Sequence, residues 1–187
     1  MPPIAQRVRG TQDLLPADQP YWDAMEQAAR QQAERFGYQR IETPIFEATE
    51  LFVRSAGEGS DIVTKEMYTF TDRGGRSITL RPEGTAPILR AYFDGGLDQE
   101  PQPVRLYYLG PYFRYDRPQA GRLRQLHQFG IEVIGDGSPE LDAEAILLGW
   151  EWFKTLGIEG ITLRLNSIGD EVCRPAYREK LRAYYQP

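Results

Sequence analysis

The alternation of apolar and polar positions along the chain predicts an α+β domain. Apolar residues at helical spacing predict helices over residues 19–36, 49–54, 86–93, 141–156 and 171–185. Runs that alternate with a period of two predict strands over residues 38–43, 67–70, 77–80, 104–115, 123–134 and 161–165. Residues 1–18 are rich in turn formers and are expected to form an irregular arm. This order of elements favours an antiparallel β-sheet with flanking helices.

The two longest predicted strands bracket residues 116–122, which contain Pro118 and Gly121 and predict a broad hairpin loop. Because successive strand residues point to opposite faces, the hairpin should have one apolar face and one polar face. The apolar face is predicted to carry Phe129, Ile131 and Val133. The polar face is predicted to carry Tyr112, Arg114, Asp116, Arg122, Arg124, Gln128 and Glu132.

Composition limits the classes of function that are open to the chain. A net charge of -5, with 41% hydrophobic and 26% charged residues, is ordinary for a soluble domain with its own core. No apolar run approaches the roughly 20 residues of a membrane span, and the N-terminus lacks an apolar signal core. A single cysteine, Cys173, excludes an internal disulfide and fits a reducing cytoplasm. With His127 as the only histidine, a His/Cys zinc site is excluded.

The run FRYDRPQAGRLRQLHQFGIE, residues 113–132, concentrates Arg114, Arg117, Arg122 and Arg124 in an otherwise acidic chain. The planar fork of arginine suits bidentate recognition of phosphate, so this run is a candidate polyphosphate site. The alternative is a solvated strand face with ordinary surface ion pairs. For His127, a packed residue is favoured over a catalyst.

A second candidate is LRPEGT, residues 80–85, at a predicted strand-to-helix junction. The Glu83 carboxylate and the Thr85 hydroxyl could bind an ammonium group. The alternative is a helix cap, in which Thr85 accepts from backbone N–H groups and Glu83 favours the helix dipole. The glycine-rich segment 57–61 lacks the ending of a P-loop and is not interpreted as a phosphate site.

Together, RVRGTQDLLP, GYQRIETPIFE, KEMYTF, LRPEGT, the arginine run and LNSIGD resemble the N-terminal part of the histidyl-tRNA synthetases, a family of class II aminoacyl-tRNA synthetases. The resemblance implies a partial class II catalytic core over residues 1–168. It implies the start of a truncated insertion domain over residues 169–187. GYQRIETPIFE resembles the first class II motif, which places Pro44 at a homodimer interface. The arginine run resembles the second motif.

The resemblance also implies a chemistry and residue roles. L-Histidine and ATP, with Mg²⁺ on the nucleotide, would form histidyl-adenylate, and the histidyl group would pass to tRNA(His). Arg114 would be catalytic, binding the α-phosphate and the histidine carboxylate, while Asp116 (where the family usually has glutamate) and Arg122 would bind ATP. The implied histidine-binding residues are Glu83, Gly84, Thr85, Arg114, Gln128 and Glu132. Gln119 would approach the tRNA acceptor end, and no structural metal is expected.

Family members are longer, so the third class II motif is expected beyond residue 187, and little activity is expected from the fragment alone. Two rival functions stay open. One is a histidine-sensing regulatory subunit of ATP phosphoribosyltransferase, although such proteins lose parts of the second motif and of LRPEGT. The other is a generic nucleic-acid-binding domain, which the acidic balance of the chain disfavours. A cytoplasmic protein without membrane contact is expected in each case.

Overall fold

The computed structural model describes residues 5–57, 59–167 and 169–186. The chain divides into two compact units, Met1–Gly157 and Ile158–Pro187. Parts of four predictions lie outside the described residues: residues 1–4 of the arm, Glu58 of the glycine-rich segment, Ile168 of LNSIGD, and Pro187 of the insertion domain.

Most predicted elements of the first unit are confirmed within a few residues. Its helices are α1 (Gln19–Arg35), α2 (Thr49–Ala56), α3 (Thr85–Asp94) and α4 (Pro139–Thr155). Its strands are β1 (Gln39–Arg40), β2 (Phe46–Ala48), β3 (Tyr68–Thr71), β4 (Ser77–Leu80), β5 (Val104–Phe113) and β6 (Gln125–Ile134). The second unit contains α5 (Cys173–Tyr185). Among the described residues, no helix has both the length and the apolar character needed to cross a membrane.

The strands form two three-stranded sheets, in the orders β1-β5-β6 and β2-β4-β3. The α+β class with flanking helices is therefore confirmed, with one departure from an all-antiparallel sheet: β1 runs parallel to β5, where Gln39 pairs with Leu106. Parallel neighbours require a long connection, and the second sheet with α2 and α3 supplies it. The β5–β6 hairpin is antiparallel throughout and pairs Val104 with Ile134.

The apolar face of the β5–β6 hairpin forms the core, as predicted. Ala33 of α1, Tyr38, Tyr107 of β5 and Leu148 of α4 are buried there. Residues packed against them are Phe36, Leu109, Phe129, Ile131 and Val133. Burial of this face leaves the opposite face of the hairpin for polar groups.

Three strand predictions are corrected. The strand expected over 38–43 contains only Gln39–Arg40. Residues 161–165 form no strand, because the described part of the second unit offers no partner strand. The hairpin strands stop earlier than predicted. After one last cross-strand bond, from Arg114 N–H to Arg124 O (2.9 Å), Tyr115 N–H donates to Glu66 O (2.7 Å) and Arg124 N–H donates to Gly10 O (2.6 Å). Strand parity therefore does not extend to the predicted loop-side residues Asp116 and Arg122, whereas Arg114 and Arg124 lie at the last cross-strand bond.

Candidate active site

The junction between β4 and α3 brings two predicted site residues together, Glu83 and Thr85. The residue that caps α3 is Glu83 rather than Thr85. The Glu83 carboxylate accepts from Thr85 N–H (2.6 Å) and Ala86 N–H (3.1 Å), so Glu83 caps α3. The prediction that Thr85 caps this helix is wrong. Its hydroxyl instead donates to Glu132 Oε1 on β6 (2.8 Å). Because Glu83 satisfies the first-turn N–H groups, the Thr85 hydroxyl is available to join α3 to the sheet.

Glu132 lies on the polar face of the hairpin and accepts two hydrogen bonds at one oxygen. Besides Thr85, the Tyr108 hydroxyl donates to Oε1 (3.3 Å), and no described residue donates to Oε2. Burial raises the pKa of Glu132, the nearby charge of Glu83 raises it further, and the two hydrogen bonds oppose this rise. The result is a carboxylate with one unused oxygen in a partly desolvated position, which favours binding of a cationic group.

The strand register explains which neighbours share this polar face. Gly130 lies opposite Tyr108, and Gln128 lies opposite Gly110. A side chain at either glycine would collide with a neighbouring side chain, Tyr108 at Gly130 and Arg81 at Gly110. Gly130 separates Gln128 from Glu132 along β6, and all three residues lie on the same face of the strand. The structure therefore brings Glu83, Gly84, Thr85, Gln128 and Glu132 onto one side of the hairpin.

Arg114 follows β5 and is tied to the same junction. Its Nε–H donates to the carbonyl of Pro82 (2.7 Å), and its backbone N–H donates to Arg124 O (2.9 Å). No described carboxylate forms an ion pair with Arg114. Its terminal guanidinium nitrogens are therefore available to an anion, and Glu83 directly follows the Pro82 carbonyl that Arg114 binds. An amino acid, with a carboxylate and an ammonium group, has the complementary charges.

The loop tip carries the remaining predicted residues. Asp116 Oδ2 pairs with Arg122 Nη1 (3.3 Å), so two residues predicted to bind ATP are joined to each other. Gln119 is exposed and exchanges backbone hydrogen bonds with Arg122 across a tight turn (2.9 and 3.3 Å). This tip is open to solvent and is held mainly by contacts within the loop.

The other two arginines of the run have different environments. The guanidinium of Arg124 stacks 4.0 Å from the centroid of the Tyr115 ring, and its side chain packs against Gly10. Gly10 has φ = +86°, and a Cβ there would lie 2.8 Å from Arg124, so this approach requires glycine. Arg117 is exposed. Arg124 therefore links the N-terminal arm to the hairpin.

His127 lies on the other face of the hairpin, opposite Pro111. Its ring meets the edge of Trp22 of α1 at 4.7 Å between centroids, and burial lowers its pKa. His127 is nonetheless exposed, and among the described residues its side chain makes no hydrogen bond, so the packed interpretation is met only by the contact with Trp22. Pro44 is exposed and is followed by Ile45 and Phe46, which are 44% and 51% exposed.

Sequence reasoning missed one buried cation, Arg81, which follows β4. Its side chain is 4% exposed and donates to the carbonyls of Pro111 (2.9 Å) and Thr43 (2.8 Å). Its guanidinium also lies 4.7 Å from the centroid of the Tyr112 ring. Its backbone accepts from Phe113 N–H (3.0 Å) and donates to Ile45 O (2.9 Å), so Arg81 joins the two sheets. The signal was its place in LRPEGT, directly before the junction.

Tyr108 was missed for a different reason. The sequence shows a cluster of tyrosines at 107, 108, 112 and 115, without distinguishing them. The strand register pairs Tyr108 with Gly130, and this glycine is the signal that distinguishes Tyr108 from the other tyrosines.

Comparison with known proteins places this fold among class II aminoacyl-tRNA synthetase cores. The apo histidyl-tRNA synthetase of S. aureus superposes with a TM-score of 0.80 at 40% identity, covering 97% of this chain and 42% of that one. A Bacillus halodurans protein described as an ATP phosphoribosyltransferase regulatory subunit/histidyl-tRNA synthetase superposes with a TM-score of 0.70 at 29% identity, covering 84% of this chain and 39% of that one.

The family model for histidyl-tRNA synthetase matches residues 10–177, and the chain therefore belongs to the histidyl-tRNA synthetase family. The histidine–tRNA ligase of Dehalococcoides mccartyi is 59% identical over 180 residues, covering 96% of this chain and 43% of the relative. That of Desulforudis audaxviator is 56% identical over 184 residues, covering 98% and 44%. The chain thus spans less than half the length of these relatives.

Proposed function

We propose that this chain carries the histidine-binding wall of a histidine–tRNA ligase. In the reaction, a carboxylate oxygen of L-histidine attacks the α-phosphorus of ATP, the bond to the bridging oxygen breaks, and pyrophosphate leaves. A ribose hydroxyl at the 3′ end of tRNA(His) then attacks the carbonyl carbon of histidyl-adenylate, and AMP leaves. The observation that carries the proposal is the 2.8 Å hydrogen bond from Thr85 to Glu132, which joins two separate sequence motifs into one acidic pocket beside Arg114.

The charges of this pocket match those of the amino acid. Glu83, Gly84 and Thr85 would surround the ammonium group, and the unused Oε2 of Glu132 would accept from a polar N–H of the substrate. Gln128, on the same face, would offer an amide for hydrogen bonding. Arg114 would bind the carboxylate and then the α-phosphate, stabilising the negative charge that develops during attack. Its Nε–H bond to Pro82 keeps the guanidinium beside the junction.

The nucleotide is proposed to lie toward the loop tip. Arg122 would bind the phosphates and Asp116 the adenine, which requires their 3.3 Å ion pair to open or rearrange. Among the described residues, no group of three or more histidine, cysteine or acidic side chains is placed to hold a metal. Mg²⁺ would enter with ATP on its phosphate oxygens, where it would neutralise the leaving pyrophosphate.

The remaining assignments concern partners. Gln119, exposed at the turn, would approach the acceptor end of tRNA(His). Pro44 with the exposed Ile45 and Phe46 would contribute to a homodimer interface. Residues 1–168 would belong to the catalytic domain and residues 169–187 to an insertion domain, in a cytoplasmic enzyme.

A regulatory subunit of ATP phosphoribosyltransferase is the second candidate, favoured by the 29% identity with the B. halodurans protein. Higher identity with histidine–tRNA ligases, and the presence of Arg114, Arg122 and the complete LRPEGT segment, support the ligase. A regulatory subunit that only senses histidine would not need phosphate-binding arginines.

Thermal unfolding of the chain with single and paired ligands tests the proposal. A ligand at 100 times its Kd adds about 2.7 kcal/mol to the free energy of unfolding, which is readily measured as a rise in Tm. The ligase predicts stabilisation by histidine, by ATP–Mg²⁺ and by both together. Stabilisation by histidine alone would favour the regulatory subunit, and stabilisation by RNA alone would favour a nucleic-acid-binding domain.

A further inference from the structure

Tyr108 occupies a slot that two glycines form. A Cβ at Gly84 would lie 2.4 Å from Cζ of Tyr108, and a Cβ at Gly130 would lie 2.2 Å from the same atom. A Cβ essentially never approaches another non-bonded heavy atom more closely than 3.0 Å, so a side chain at either position would force the ring to shift. Neither glycine has a positive φ in this structure, so the requirement at both positions is space rather than backbone conformation. Both glycines are therefore needed for the ring to lie where it does.

The end of this slot is the Glu132 carboxylate. The Tyr108 hydroxyl donates to Oε1 (3.3 Å), the same oxygen that accepts from Thr85 (2.8 Å). Two donors from different elements, β5 and α3, fix one oxygen and leave Oε2 without a described donor. Burial raises the pKa of Tyr108, so its hydroxyl stays protonated and remains a donor at neutral pH.

From this geometry we infer that Tyr108 is a positioning residue: held between Gly84 and Gly130, it orients the Glu132 carboxylate for histidine. The inference rests on the proposed function for the identity of the ligand, but the contact between Tyr108 and Glu132 does not. Tyr108 reaches the ligand only through Glu132. Gly84 thereby gains a second purpose, since its missing side chain admits the ring.

The positioning has a pH signature. The titratable groups that face Glu132 are Glu83 at the junction and Tyr108 and Tyr112 on β5, with Arg81 lying over the Tyr112 ring. Glu83 raises the pKa of Glu132, whereas the hydrogen bonds from Thr85 and Tyr108 lower it. Removing the Tyr108 hydroxyl therefore raises this pKa further. A cationic ligand needs the ionised carboxylate. On acidification, the chain without the Tyr108 hydroxyl should therefore lose histidine binding at a higher pH than the unsubstituted chain.

The test compares Tyr108→Phe with Tyr107→Phe in the 187-residue chain. Both substitutions remove one phenol hydroxyl from β5, but Tyr107 is buried in the core on the opposite face. Histidine and ATP affinities are measured by calorimetry from pH 5 to pH 8. Losing a hydrogen bond to a charged group predicts roughly tenfold weaker histidine binding in Tyr108→Phe, with ATP binding changed by less than about twofold. The acidic limb of histidine binding should move to higher pH, and Tyr107→Phe should reproduce none of these changes.

A second readout separates failure of this inference from failure of the proposed function. Carboxyl carbon NMR of Glu132 reports its pKa without any ligand, and this pKa should rise in Tyr108→Phe and stay constant in Tyr107→Phe. If the chain binds no histidine, the proposed function fails, and the positioning of Glu132 is decided by this titration alone. An unchanged Glu132 titration, or equal losses of histidine and ATP affinity, would overturn the inference.

Discussion

The two ends of the candidate site are built differently. At the Glu132 end, hydrogen bonds join residues far apart in sequence: Thr85 and Tyr108 meet Glu132, and Arg114 meets Pro82. At the loop tip, Asp116 and Arg122 pair with each other across a few residues of an exposed loop. Under the proposed function, the first end would be preorganised for histidine, and the second would rearrange around the nucleotide and the acceptor end of the tRNA.

The largest effect should come from Arg81, which supports the preorganised end. Arg81→Met leaves the buried carbonyls of Thr43 and Pro111 without their donor, so the free energy of unfolding should fall by about 3 kcal/mol. Urea denaturation measures this loss. Arg122→Met is the control, because its ion pair is exposed and should contribute less than about 0.5 kcal/mol. Equal losses in the two variants would remove the distinction between the ends.

Arg114 tests the contact between the two ends. Arg114→Lys keeps the charge but loses the Nε–H donor to Pro82 and the planar fork. Binding of a non-hydrolysable histidyl-adenylate analogue should weaken about tenfold or more, as measured by calorimetry. Stability should change little, because the side chain is only partly buried. Wild-type affinity in Arg114→Lys would show that position 114 acts as a point charge alone.

A substitution at Glu132 tests whether its partly desolvated carboxylate lowers the stability of the fold while it serves ligand binding. Because its folded-state pKa is raised, mainly by burial, its contribution to stability is complete at low pH and is lost as pH rises through that pKa. Glu132→Gln should therefore raise Tm at pH 7 while weakening histidine binding by roughly tenfold or more. Thermal melts at pH 4 and pH 7 should show a larger gain at pH 7 than at pH 4. A variant that is less stable at pH 7 would contradict this account.

Gln119 should give the smallest effect on the folded protein. Its side chain is exposed at the turn, so Gln119→Ala should leave Tm and histidine affinity unchanged within error. Affinity for an acceptor-stem RNA should fall severalfold if this residue meets the tRNA, as fluorescence anisotropy would measure. Arg117→Ala, also exposed in the loop, tests whether any loss reflects charge alone.

Much of the fold was predictable because it depends on local periodicity. Helical spacing located α1 to within one residue, and period-two alternation located both hairpin strands and their core-facing side chains. The missed features depend on partners elsewhere. A predicted strand over residues 161–165 found no neighbour, and the parallel pairing of β1 with β5 reflects the route of the chain rather than either strand's pattern. Likewise, parity cannot anticipate that Tyr115 bonds to Glu66 and Arg124 to Gly10.

The sequence by itself determined most of the helices and strands of the first unit, which hairpin face is apolar, and which family motifs the chain carries. Each of these depends on residue type and short-range spacing, because the hydrophobic effect is non-directional and depends mainly on how much apolar surface is buried. Only the tertiary structure decided that Glu83 rather than Thr85 caps α3, that Thr85 turns to Glu132, and that Tyr108 lies between two glycines. Hydrogen bonds are short and directional, so their partners are chosen by the packing of distant segments to within a fraction of an ångström.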